Sequence, residues 1–349
     1  MKITIGNSTI GEGNKTFIIA ELSANHNHEF DLAAKSIKAI KECGADAVKL
    51  QTYTADTLTI DSDKDHFKIR QNTIWDGITL YELYKQAYTP WEWQPELKKL
   101  AEDLGLIFFS SPFDKSAVDF LEKMGVPAFK IASFEIVDIP LIEYTASKGK
   151  PMIISTGIAT EEEIQDAIDA CMRAGNNQIA LLKCTSEYPA PIEDSNLATI
   201  PALSKKFNAV SGLSDHSLGI TVPIAAVAIG ARIIEKHFIL DRKIGGPDSS
   251  FSLEPSEFKE MVDGIRRVES ALGKVSFELT DKIRKSRVFA RSLFVVKDIR
   301  AGEIFTEENV RSIRPSNGLA PKYYNEILGR KASKEIERGT PLSWDLIER

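Results

Sequence analysis

FIIAEL (17–22), DLAAKSIKAIKECG (31–44) and AVKLQ (47–51) read as one unit. A short run rich in Ile and Phe is followed by apolar residues at helical spacing, a Gly, and a second apolar run. That order is strand, helix, strand, with the Gly where a helix C-terminus favours it. The unit recurs. Further apolar runs are LIFFSS (106–111), AFKIAS (128–133), PMIIST (151–156), IALLKCT (179–185), AVSGLS (209–214) and RIIEKHF (232–238). Helical segments stand between them, among them DKSAVDFLEKMG (114–125), IPLIEYTASKG (139–149), TEEEIQDAIDACMRAG (160–175) and GITVPIAAVAIG (219–230). Eight short strands alternating with helices predict a (β/α)8 TIM barrel, class α/β, over residues 1–273. The first strand's turn reads ELSANH rather than GxGxxG, which argues against a dinucleotide fold.

One connection breaks the rhythm. Residues 52–91 form a long polar and aromatic insertion before a second helix expected at about 92–104. Long βα loops on the functional face of a barrel commonly serve as lids. Residues 274–287 (KVSFELTDKIRKSR) are charged and poorly periodic, and read as a linker. Beyond them SLFVVKDI (292–299), IFTEENVRSIRP (304–315) and GRKASKEIERGTPL (329–342) predict a small, mostly β domain over 288–349. A unit of that size is marginal alone and is expected to dock.

Composition narrows the function. At 43% apolar and 27% charged residues the 349-residue chain is not disordered. A net charge of −6 without a basic cluster excludes a nucleic-acid binder. No apolar run reaches the length of a membrane span, and the first residues lack the apolar core of a secretory signal. Cys43, Cys171 and Cys184 form no CxxC, as expected of a reducing, cytoplasmic setting.

Active sites of such barrels lie at the C-terminal ends of the strands. There the sequence places Glu21, then Lys49 and Gln51, Lys130, Ser133 and Glu135, Ser155 and Thr156, Cys184, Thr185, Ser186 and Tyr188, Ser214, Asp215 and His216, and finally Glu235 and His237. Any one strand-end Ser is more often a helix cap, and a lone strand Lys more often a carboxylate's partner. The signal is that all eight strands end in polar residues. Lys49 and Lys130 with a set of hydroxyls point to an anionic ligand, a phosphate or carboxylate. His216 and His237, on adjacent strand ends, are close enough to share one metal ion with open positions. Glu21, Glu135, Asp215, Glu235 and Asp248 are the candidate acids and bases, Asp248 in the Gly-rich loop after strand eight.

Together AELSANH (20–26), KLQTY (49–53), SSPF (110–113), FKIASFE (129–135), LKCTSEYPAP (182–191), GLSDHS (212–217), IEKHF (234–238) and GGPDSSFSL (245–253) resemble the sialic acid (nonulosonic acid) synthase family. The tail, VKDIRAGEIFTEENV (296–310) with RPSNG (314–318), is similar to the antifreeze-like (SAF-type) domain those enzymes carry. WDGITLYELYKQAYTP (75–90), STGIATEEE (155–163) and RPSNGLAPK (314–322) lie nearest the branch making pseudaminic acid. The resemblance implies a transferase that condenses phosphoenolpyruvate with an open-chain N-acetylated amino sugar, 2,4-diacetamido-2,4,6-trideoxy-L-altrose, and releases phosphate. It implies a divalent metal on His216 and His237, Mn²⁺ with Mg²⁺ or Co²⁺ as alternatives. It implies phosphoenolpyruvate on Lys49, Lys130, Ser133, Ser155, Ser186 and Ser214. Gln51, Tyr188, Asp248 and Arg314 would face the sugar, with Glu21 and Glu135 catalytic. A domain-swapped homodimer is expected, Arg314 reaching the partner's barrel. The alternatives are synthesis of N-acetylneuraminate or legionaminate, or a non-catalytic carbohydrate-binding protein.

Overall fold

The computed structural model describes residues 1–70 and 73–348. Eight parallel strands close into a barrel: β3 (Phe17–Glu21), β4 (Ala47–Thr52), β5 (Ile107–Pro112), β6 (Phe129–Ile131), β7 (Met152–Ser155), β8 (Ile179–Cys184), β9 (Val210–Asp215) and β10 (Ile233–His237). Their order around the barrel follows the chain, and β10 pairs with β3 to close it. The strands are buried on both faces, which is why they read as unbroken apolar runs. Local chemistry sets the helix ends. Thr160 and Glu163 form a capping box on Glu161–Arg173, Asp114 caps Lys115–Met124, and Gly125 at φ 73° ends that helix.

The first residues carry an element the sequence reading did not anticipate. β1 (Lys2–Ile5) and β2 (Ser8–Gly11) form a hairpin turning at Gly6, φ 57°. Its alternation puts Ile3, Ile5 and Ile10 into the barrel's core cluster. Four-residue strands are too short for period two to stand out. The insertion is also more regular than a polar loop: it contains helices Ala55–Leu58 and Leu80–Ala87, the second opened by a Thr79/Glu82 capping box.

The chain divides into two compact units, Met1–Gly273 and Lys274–Arg349. The stretch expected to be a plain linker is corrected in part: Asp281–Ser286 is a helix capped by Thr280. The second unit has an antiparallel pair, β11 (Ser292–Val295) and β12 (Val310–Ile313), over its own core of Leu293, Val295, Phe305, Val310 and Leu342. Among the described residues no helix is long and apolar enough to cross a membrane.

Candidate active site

Successive residues of a strand point to opposite faces, so each strand end offers one side chain inward and the next outward. Glu21, Lys49, Glu235 and His237 all fall on the inward face, and register brings them together. Glu21 is opposite both Lys49 and His237, and Ser214 is opposite Glu235. Lys49 Nζ lies 3.0 Å from Glu21 Oε2 and 3.0 Å from Glu235 Oε1. Lys130 Nζ donates to Ser155 Oγ at 2.7 Å and lies 3.6 Å from Glu235 Oε1. Gln51 Nε2 donates to Glu21 Oε1, and Ser214 Oγ to Glu235 Oε1. The lysines therefore do pair with carboxylates, yet they also line a cavity of about 1070 Å³. Glu21, Gln51, Ser133, Glu135, Ser155, Ser186, Tyr188, Ser214, His216, His237 and Asp248 line it too.

Electrostatics distinguish these groups. Burial would raise the Glu21 carboxyl, but Lys49, His237 and Gln51 outweigh it and hold it far below the usual range. Lys49 is raised: its burial is outweighed by Glu21 and Glu235. Lys130 is lowered by burial, only partly offset by Glu235. Burial lifts Glu135 to about 7 against the pull of Lys130, and its Oε2 is buried without a hydrogen-bond partner.

The two imidazoles sit 5.3 Å apart, centroid to centroid. His216 Nδ1 is 2.9 Å from the Thr185 carbonyl, which can only accept, so that nitrogen carries a proton. Burial would lower the ring's pKa, but Cys184 and the Thr185 carbonyl outweigh it and raise it, so Nε2 offers a lone pair to a metal only when the ring is neutral. His237 Nε2 is 3.3 Å from Glu21 Oε2; its Nδ1 is buried, without a hydrogen-bond partner, and 3.9 Å from Asp248 Oδ2. Free imidazole nitrogens beside carboxylates fit a divalent cation. Among the described residues no three or more His, Cys, Asp or Glu side chains form a ready cluster for one. The pair alone would leave positions open to water and substrate.

Gly157 explains the hydroxyl cluster. A Cβ there would collide with Ser133 and Ser186 Oγ and crowd Cys184 Sγ, while its N–H donates to Ser133 Oγ at 3.1 Å. The bare backbone lets two hydroxyls and a thiol converge on one point. Burial would raise the Cys184 thiol, but His216 overrides it and brings it down to about 7.

Some expected residues do not join the site. Thr156 and Thr185 donate their hydroxyls to the carbonyls of Leu182 and Asp194, so they neither cap a helix nor line the cavity. Asp215 points outward to Lys236 and is corrected as a candidate acid or base: it is one residue out of phase with Ser214. Arg314 belongs to the second unit.

The NeuB family profile matches residues 36–277, and a SAF domain profile matches 290–348. The chain belongs to the NeuB family. It is similar to a pseudaminic acid synthase of Campylobacter jejuni, 54% identical over 94% of this chain and 95% of that one. An N,N'-diacetyllegionaminic acid synthase of Legionella pneumophila is 38% identical over 97% and 96%. A solved N-acetylneuraminic acid synthetase from Leptospira borgpetersenii, in complex with citrate, superposes with a TM-score of 0.73 at 34% identity, covering 82% of this chain and 95% of its own.

The sequence reading of this NeuB-family chain missed Trp75. Its indole N–H donates to the Pro247 carbonyl at 3.0 Å and its ring stands 5.4 Å from Tyr188. Its signal was its place at the head of the WDGITLYELYKQAYTP motif in the insertion, which says nothing of what the ring would touch.

Proposed function

We propose that the barrel makes pseudaminic acid from phosphoenolpyruvate and 2,4-diacetamido-2,4,6-trideoxy-L-altrose, releasing phosphate, as a cytoplasmic enzyme. The observation that carries this is one cavity holding two buried lysines and two imidazoles, with His237 Nδ1 left without a hydrogen-bond partner. The greater likeness to the pseudaminic than to the legionaminic synthase favours the sugar. C3 of phosphoenolpyruvate bonds to the aldehyde carbon; water adds at C2; the C2–O bond breaks and phosphate leaves. Lys49 and Lys130 hold the anionic groups, with Ser133, Ser155, Ser186 and Ser214 as neutral donors. Gln51, Tyr188 and Asp248 face the sugar. A divalent metal on His216 and His237, Mn²⁺ first and Mg²⁺ or Co²⁺ next, polarises and orients the aldehyde oxygen when bound. Glu21 orients a water molecule. Glu135, held near neutrality in its titration, gives or takes a proton in the cavity. Arg314 of a second copy's tail completes the sugar site in a domain-swapped homodimer; mixing Arg314→Ala with His216→Ala chains should then restore part of the activity that each lacks.

The test is mass spectrometry of products, with phosphate release, from phosphoenolpyruvate offered with a panel of N-acetylated hexoses. The trideoxy sugar should give the nonulosonic acid mass and the highest kcat/KM. Preference for N-acetylmannosamine would move the chain to the sialic acid branch. Binding without turnover under any divalent metal would leave a carbohydrate-binding protein.

A further inference from the structure

The cavity has two unlike parts. Its floor is the charged strand-end cluster. The insertion supplies another part of its lining, where Ile69, Ile74, Trp75, Leu83 and Tyr84 form an apolar stretch beside His66, Lys68 and Thr73. Ile69 and Leu83 are buried, whereas Ile74, also in the lining, is 49% exposed. Trp75 ties this wall to the floor. Its N–H holds the Pro247 carbonyl, next to Asp248, and its ring packs on Tyr188, whose ring is 4.3 Å from that of His216. Tyr188 thus stands in ring contact with both Trp75 and His216.

A sugar whose aldehyde reacts at the floor sends its far carbons toward that wall. Hydroxyls pressed on apolar side chains lose water without a replacement partner, whereas methyl groups gain by leaving water. We infer that the wall of Ile69, Ile74, Trp75, Leu83 and Tyr84 is the surface that selects a sugar with a methyl-bearing far end, and that Trp75 positions it. This rests on the function proposed above, and it assigns the 6-deoxy carbon and the distal acetamido methyl to the insertion.

The experiment compares kcat/KM for 2,4-diacetamido-2,4,6-trideoxy-L-altrose with that for the same sugar carrying a 6-hydroxyl. Wild type should prefer the deoxy sugar by roughly 10–100-fold. Trp75→Ala should shrink that ratio to about 3-fold or less, through KM for the sugar, while KM for phosphoenolpyruvate shifts less than about 3-fold. Trp75→Phe, which keeps an apolar ring and loses the hydrogen bond, should retain most of the preference. If wild type releases no phosphate with either sugar, the proposed function fails and the assignment goes with it. If wild type works but Trp75→Ala loses both sugars in proportion, or Trp75→Phe is as indiscriminate as Trp75→Ala, the wall alone is overturned.

Discussion

The inner and outer faces of the same strand ends both carry a buried lysine beside carboxylate, and the two arrangements differ in what is left over. On the outside, Lys236 Nζ is shared between Asp215 and the Ser217 carbonyl, while Asp215 Oδ1 accepts from the Ser217 N–H and hydroxyl. On the inside, Glu235 Oε2, Glu135 Oε2 and His237 Nδ1 are buried without hydrogen-bond partners. Unmade hydrogen bonds in a folded interior cost free energy, and these three groups line the cavity, where a ligand can complete them. The outer cluster is complete and structural. The inner one is built for something that arrives.

The largest effect that would sharpen this contrast is on the imidazoles. His216→Ala and His237→Ala should each lower kcat about 1000-fold or more, several kcal/mol of transition-state stabilisation, with an unchanged circular dichroism spectrum. Near wild-type turnover in chelator-treated buffer would break the inner half of the comparison.

Lys236→Met comes next, and should act on stability. Stranding Asp215 as an uncompensated buried charge costs about 3–5 kcal/mol, read from urea unfolding. Adding Asp215→Leu should recover much of that. A Lys236→Met chain with full stability would show that the outer pair is dispensable.

Glu135 links the site to pH. Its carboxyl titrates at about 7 instead of the ordinary 4.5, because burial disfavours its charge. Between those values the folded chain holds a proton that the unfolded chain has released, so stability falls as pH rises, by about 3 kcal/mol in all. Stability curves at pH 5 and pH 8 should show this fall in wild type and not in Glu135→Gln.

The smallest effect is at the lysines. Lys49→Ala and Lys130→Ala should each raise KM for phosphoenolpyruvate roughly 10–150-fold, the worth of about 1.5–3 kcal/mol per charge-assisted contact. KM for the sugar should change much less. Equal losses for both substrates would make the inner lysines structural partners, like Lys236.

The sequence by itself determined the order of the eight strands and their places in the chain, because apolar runs, helix caps and Gly stops act over a few residues; their ends shift by a residue or more, and AFKIAS (128–133) shrinks to Phe129–Ile131. It also named the polar residues at each strand end, and period two already separates Glu235 and His237 from Lys236. Only the tertiary structure decided which of them meet. Closure of β10 on β3 sets His237 against Glu21, and register then passes the contact to Lys49. Asp215 and Ser214 look equivalent as letters, yet one residue of phase puts the first behind the barrel and the second in the cavity. Trp75 illustrates the same limit from the other side. Nothing within the insertion says that its indole will find Pro247 and Tyr188. That contact depends on three loops being carried to one rim by strands far apart in the chain, and only the closed barrel brings them there.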